Sequence, residues 1–243
     1  MTRLTFPVPP QTTAGPSAAG RIGWLFVTLT ALAIVAYSAV PYFTASLPQL
    51  AGEGMGLADH YASQPAFVQA ALYAHIVGAA VALVLGPLQF WRALRQRAPR
   101  VHRWTGRAYL GGVALGGIAG LAIAPFGAAG FVGLFGFGAL AVLWLVTGWR
   151  AYRSIRRGEI PSHQAWMIRN FALTYAAVML RIWLPVLLVV QIPFGSFDFD
   201  SAFANAYAAV PFLCWLPNLV VAEWLIRRRG LPSYRLTPSA LPS

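Results

Sequence analysis

Four side chains in this sequence have the chemistry of a site. His102 and His163 each stand among arginines, and His75 and Arg181 each interrupt an apolar stretch. A neutral imidazole can hold a metal or a haem iron, and a guanidinium presents a planar fork of donors to an oxyanion. The two arginine-flanked histidines have matching surroundings. Trp91-Arg92-Ala93 is followed by Arg95, Arg97 and Arg100 and then His102, Trp104 and Arg107; Trp149-Arg150-Ala151 is followed by Arg153, Arg156 and Arg157 and then His163, Trp166 and Arg169. Tryptophans and arginines are common at any membrane interface. The matched histidine is the informative element, and it makes His102 and His163 equivalent positions of two parallel hairpins, whose interface is where ligand sites form in repeated membrane folds.

The elements that position these residues are apolar runs at Ile22–Ala45, Ala66–Phe90, Gly106–Phe126, Phe131–Trp149, Trp166–Ile192 and Phe203–Ile226. Each is long enough to cross a hydrocarbon core of about 30 Å as a helix. The sequence thus predicts an all-α membrane protein, a bundle of six transmembrane helices over 22–229 with two pseudo-repeated hairpins as its core. Residues 1–21 and 230–243, rich in Pro, Ser and Thr, read as disordered tails. The run at Ile22–Ala45 reads as an uncleaved first span, with a cleaved signal peptide as the alternative. Arginines crowd alternate connections, while Ser46–Pro65, Gly127–Gly130 and Pro193–Ser201 hold Glu53, Asp59, Asp198 and Asp200 and no base. By the positive-inside rule both termini are cytoplasmic, and the bases face anionic lipid headgroups.

Composition excludes several function classes. The chain is 58% hydrophobic and 10% charged, so its net charge of +12 belongs to membrane flanks and not to a nucleic-acid surface. Cys214 is the single cysteine, which rules out an internal disulfide and a thiolate cluster. No nucleophile elbow, phosphate-binding loop, zincin motif or dinucleotide fingerprint occurs. Whether the chain is an enzyme stays open: a metal on His102, His163 and Glu159 is the least supported reading, because only six carboxylates exist to serve as acids, bases or ligands.

Within the membrane, Arg181 is the costliest residue. It lies about 22 Å along the fifth run from Trp166 at ~1.5 Å per residue, a depth it shares with His75. The two predict a polar cavity in the outer half, with an anion supplied by Asp198, Asp200 or a ligand; the alternative is a guanidinium that snorkels to the interface. Glu223, at the inner end of the sixth run, is expected to form a structural ion pair with Arg103, Arg107 or Arg169. Gly112, Gly116 and Gly120 form a ridge of small residues that admits a neighbouring helix, or a flat cofactor, close to the backbone.

His75-x-x-Gly78, Gly86-Pro87-Leu88-Gln89-Phe90, His102-Arg103-x-x-Gly106-Arg107-x-Tyr109, His163-x-x-Trp166-Met167-Ile168-Arg169 and Leu180-Arg181 together resemble bacterial predicted membrane proteins grouped as domain of unknown function 2306, over residues 74–185. That resemblance implies a multi-pass protein of the bacterial cytoplasmic membrane. The layout is also similar to part of the cytochrome b561 arrangement, in which four central helices hold two haems. The position on the fourth run that matches His75 is Gly133, so one bis-histidine haem at most can be built.

Two functional expectations follow. The first is a b-type haem or related redox cofactor held by His102 and His163, with Arg103, Arg107 and Arg169 near enough to meet propionates or another anion. The second is binding or transport of an anionic lipid or amphipathic anion by the arginine-rich loops and Arg181. Either is compatible with an oligomer.

Overall fold

The computed structural model describes residues 18–194 and 198–233. Among them the chain is helical and contains no strand. In order the helices are α1 (Ala18–Ser38), α2 (Pro41–Thr44), α3 (Leu47–Gly52), α4 (Ala58–Ala62), α5 (Ala66–Phe90), α6 (Arg92–Arg97), α7 (Pro99–Ile123), α8 (Gly130–Arg156), α9 (Ile160–Thr174), α10 (Ala176–Gln191), α11 (Phe199–Leu213) and α12 (Leu216–Arg228). They make six stretches long and apolar enough to cross a membrane: Ala18–Thr44, Ala66–Phe90, Pro99–Phe126, Gly130–Arg156, Ile160–Gln191 and Phe199–Arg228. The six apolar runs are all there. The tails expected at 1–21 and 230–243 fall largely outside the described residues, except that α1 already begins at Ala18 and that 230–233 is non-helical.

At the arginine-rich end the helices outrun the apolar sequence. α7 starts at Pro99 and α9 at Ile160, each with a proline in its first turn, where a missing N–H costs nothing. Hydropathy marks the membrane-compatible part of a helix, not its ends. His102 and His163 therefore sit inside the first turns of α7 and α9 and not in connecting loops.

α5, α7, α8 and α9 form the central bundle, with the α5–α7 and α8–α9 hairpins in the most extensive contact. The α5–α7 seam is backbone on backbone. A Cβ placed on Gly78 would collide with the backbone of Gly112 and Gly116, so the glycine ridge serves helix packing. α12 packs on α9 through Ala165, Ile168, Ala222 and Ile226. At the acidic end α3 and α4 fold over the bundle, burying Leu47, Leu50 and Tyr61 against Val68 and Leu72 of α5. His60 fastens this cap by donating from Nε2 to the Phe126 carbonyl at 2.7 Å.

The two hairpins differ where their sequences agree. α8 runs unbroken through Trp149-Arg150-Ala151, whereas α5 stops at Phe90 and the chain turns at Trp91 (φ −75°, ψ 106°) into the short α6. At that turn the Trp91 N–H bonds to Leu88 O, three residues back, and the Pro87 carbonyl loses its helical donor. The Trp24 indole of α1 donates to it at 2.9 Å, and Arg95 Nη1 donates to the Gln89 carbonyl at 3.1 Å. A carbonyl left bare in an apolar medium is costly, so these two bonds tie α1 and α6 to the end of α5. The sixth stretch repeats the device: Trp215 N–H bonds to Phe212 O, and the Trp215 indole takes the freed Pro211 carbonyl at 2.7 Å.

Candidate functional site

The middle of the central bundle is polar, closed and satisfied. Tyr109 of α7 donates its hydroxyl to Asn170 Oδ1 at 2.6 Å, and Trp144 of α8 donates its indole N–H to Thr174 Oγ1 at 2.8 Å. Asn170 Nδ2 donates to the Trp144 carbonyl and to Thr147 Oγ1, both at 2.8 Å. All five of these residues are buried. With its donors and acceptors spent on one another, this network holds α7, α8 and α9 together and leaves nothing to recognise a ligand.

A cavity of about 710 Å³ lies beside it, between α8, α9 and α12. This is the size of a small-molecule or lipid-headgroup site. Each helix contributes one face: Leu143, Val146, Thr147 and Arg150 from α8; Trp166, Arg169 and Leu173 from α9; Leu216, Leu219, Val220, Glu223, Trp224 and Arg227 from α12. Because α8 and α12 run toward the arginine-rich end and α9 away from it, the lining is graded. Leucines form the deep part, and the guanidinium and indole groups form the mouth. Val220 and Trp224 are exposed on the outside of the bundle, so the cavity opens sideways toward the membrane.

One ion pair organises the mouth. Arg169, 5% exposed, donates from Nε to Glu223 Oε1 at 2.5 Å and from Nη2 to Oε2 at 2.9 Å. This two-pronged geometry is the strongest that a guanidinium and a carboxylate make. The guanidinium carbons of Arg150 and Arg169 both lie over the Trp166 ring, at 4.8 and 4.6 Å. Three arginines and one glutamate give the lining a formal charge of +2, in a setting where a low dielectric strengthens attraction for an anion.

The remaining candidate residues separate into three places. Of the expected anion-binding arginines, only Arg169 lines the cavity. Arg103 and Arg107 are exposed on α7, with Arg107 over the Trp104 ring at 5.0 Å. Of the three partners considered for Glu223, the structure pairs it with Arg169. Next, His163 donates from Nδ1 to the Ala151 carbonyl at 2.9 Å, whereas His102 Nδ1 is buried without a hydrogen-bond partner. His102 lies within electrostatic reach of His163 and of Arg95. Burial beside Arg229 and Arg92 lowers the Arg95 pKa from its ordinary value. His102, His163 and Glu159 do not form a three-ligand set: no group of three or more His, Cys, Asp or Glu is placed to hold a metal among the described residues, and Glu159 faces Arg157.

Deeper in the bundle, His75 donates from Nδ1 to the Gly116 carbonyl at 2.8 Å and lies within electrostatic reach of Arg181. Arg181 donates from Nε to Ser38 Oγ at 2.8 Å and from Nη1 to its own helix at Ala177 O, 3.1 Å. Asp198, considered as its counter-ion, instead caps α11 by accepting from the Ser201 N–H at 3.0 Å. Hydrogen bonding from the Ser201 side chain, and then from its N–H, holds the Asp198 carboxyl below its ordinary range.

Arg227 and Trp224 were not singled out in the sequence, and Arg150 only as part of the Trp149-Arg150-Ala151 triplet. The signal was present in α12, where Leu216, Leu219, Val220, Glu223, Trp224 and Arg227 recur at helical spacing and grade from apolar to charged along one face. Comparison with protein families matches residues 72–226 to one described as "Predicted membrane protein (DUF2306)". The match extends past the motif-bearing stretch to take in the whole cavity lining except Arg227. No curated protein and no solved structure matches the chain.

Proposed function

The chain belongs to the predicted membrane protein family of domain of unknown function 2306, and within that frame we propose that it binds an amphipathic anion, an anionic lipid above all, in the cavity between α8, α9 and α12. The observation that carries this reading is the gradient of the lining. An acyl chain fits the leucine-lined depth, and a phosphate at the membrane interface meets Arg150 and Arg227 beside the Arg169–Glu223 pair. The arginine-rich end would then face the cytoplasm of a bacterial inner membrane, where anionic headgroups are available to it.

A direct test reconstitutes the full chain in phosphatidylcholine nanodiscs and titrates fluorescent phosphatidylglycerol. The wild type is expected to bind, and the R150Q/R227Q variant to bind at least about tenfold more weakly, each lost charge-assisted contact being worth roughly 1.5–3 kcal/mol. Equal affinity in the two proteins would refute the proposal.

A b-type haem on His102 and His163 is the second reading. One observation favours it: the Nδ1–H···O bond of His163 leaves Nε2 with its lone pair, as in imidazoles that ligate metals. Since the Tyr109–Asn170–Thr174 network fills the bundle centre, such a haem would have to lie at the arginine-rich end. A Soret band in the purified protein, lost in H102A, supports haem; a colourless preparation with intact lipid binding leaves only the first reading.

A further inference from the structure

Arg181 lies in the fifth membrane-crossing stretch, and among the described residues the oxygens to which it donates are neutral: the Ser38 hydroxyl and the Ala177 carbonyl. All six carboxylates of the sequence are among the described residues, and none of them pairs with it. A guanidinium withdrawn from water without a counter-charge is strongly unfavourable. Its two bonds consume the Nε–H and one Nη1–H, which leaves the outer edge of the fork, one Nη1–H and both Nη2–H groups, for an acceptor.

Among the described residues, the groups within electrostatic reach of the guanidinium are three phenols, the Cys214 thiol and His75. Tyr37 at the end of α1, Tyr42 of α2 and Tyr207 of α11 lie within electrostatic reach of the guanidinium. Their positions are held by ring contacts: Tyr42 is edge-on to Tyr73 at 6.3 Å, and Tyr207 stacks on Phe203 at 5.4 Å, which stacks in turn on Phe199 at 6.0 Å. Phenols donate to anions and cannot neutralise a cation themselves.

We infer that Arg181, with Ser38 orienting it and Tyr42 and Tyr207 within its electrostatic reach, is a second anion site, selective for an oxyanion of the phosphate or carboxylate type. The outer edge of the guanidinium fork matches two oxygens of such a group side by side. Ser38 and α2 lie toward the acidic end, opposite to the arginine-rich cavity, so this site is independent of the lipid groove. Its oxyanion comes either from solution or from the phosphate of a lipid in that leaflet.

The two sources are separated by measuring thermal stability of the full chain in nanodiscs under two conditions. One arm uses pure phosphatidylcholine and adds inorganic phosphate; the other adds phosphatidic acid to the bilayer and no free phosphate. A midpoint rise in the first arm assigns the site to a soluble oxyanion, and a rise confined to the second assigns it to a lipid phosphate. In the effective arm R181Q is expected to weaken the half-saturating anion concentration roughly tenfold or more, and Y42F/Y207F about threefold, while R150Q/R227Q still responds at the Arg181 site. Should R181Q not fold, S38A and Y42F/Y207F carry the test, since they keep the charge. No rise in either arm, or unchanged half-saturation in R181Q, or in both S38A and Y42F/Y207F if R181Q is unfolded, would overturn the inference.

Discussion

Arg169 and Arg181 lie on the same membrane-crossing stretch, twelve residues apart, and the bundle treats them in opposite ways. Arg169 is locked by a two-pronged bond to Glu223, while Arg181 has only neutral oxygens. The pair at Arg169 is complete, so it shapes the mouth of the groove and leaves Arg150 and Arg227 to supply the excess charge. No carboxylate among the described residues pairs with Arg181, so the anion inferred to bind there would come from outside the chain. A charge in this stretch thus serves as a strut when matched, and in the inferred site as a recognition element when not.

The sharpest way to break this contrast is to unmatch the strut. E223Q leaves Arg169 buried without a counter-charge and is expected to destabilise the protein by about 2–3 kcal/mol, at the low end for a buried pair because Glu223 is partly exposed. R169M/E223M, which removes both charges, should recover most of that loss, as read from unfolding in detergent. If E223Q melts like the wild type, the pair is not structural. Next in size is the effect of salt. Affinity for phosphatidylglycerol should fall as ionic strength rises, because the mouth of the groove borders water, and R150Q/R227Q should flatten that dependence.

A smaller effect tests the bond that ties α1 to α5. W24F bares the Pro87 carbonyl and should cost about 1 kcal/mol, with faster hydrogen exchange at the start of α6. The smallest concerns Asp198, whose carboxyl is held below its ordinary range by Ser201. A group lowered in the folded state stabilises it above the unfolded pKa, and that contribution disappears as pH falls through the folded value. D198N should therefore remove the acid dependence of α11 fraying by making the helix start slightly less stable at neutral pH, while leaving it unchanged in acid. Persistence of the same acid transition in D198N would assign it elsewhere.

The membrane-crossing stretches were legible because hydrophobic length is a property of the sequence alone. The family was legible too, in motifs such as His102-Arg103-x-x-Gly106-Arg107. The functional map was harder. Matched Trp-Arg-Ala triplets suggested two equivalent hairpins, yet α5 ends at Phe90 whereas α8 continues through Ala151, because the second triplet lies within a continuous helix and the first at a turn. His102 and His163 consequently have different partners despite the same order of neighbouring residue types. The groove escaped notice for another reason: it is shared by α8, α9 and α12, and which faces meet depends on helix packing that no local pattern encodes. Arg169 was visible as one of three candidates for Glu223. Choosing among them needed the contact between α9 and α12.

The most direct measurement places a photo-crosslinker at Val220, on the open side of the groove, and identifies by mass spectrometry the lipid captured in nanodiscs containing equal amounts of phosphatidylglycerol and phosphatidylcholine. Anion binding in the groove predicts capture enriched in phosphatidylglycerol, with the enrichment lost in R150Q/R227Q. Capture in the proportions of the bilayer, the same in both proteins, would contradict it.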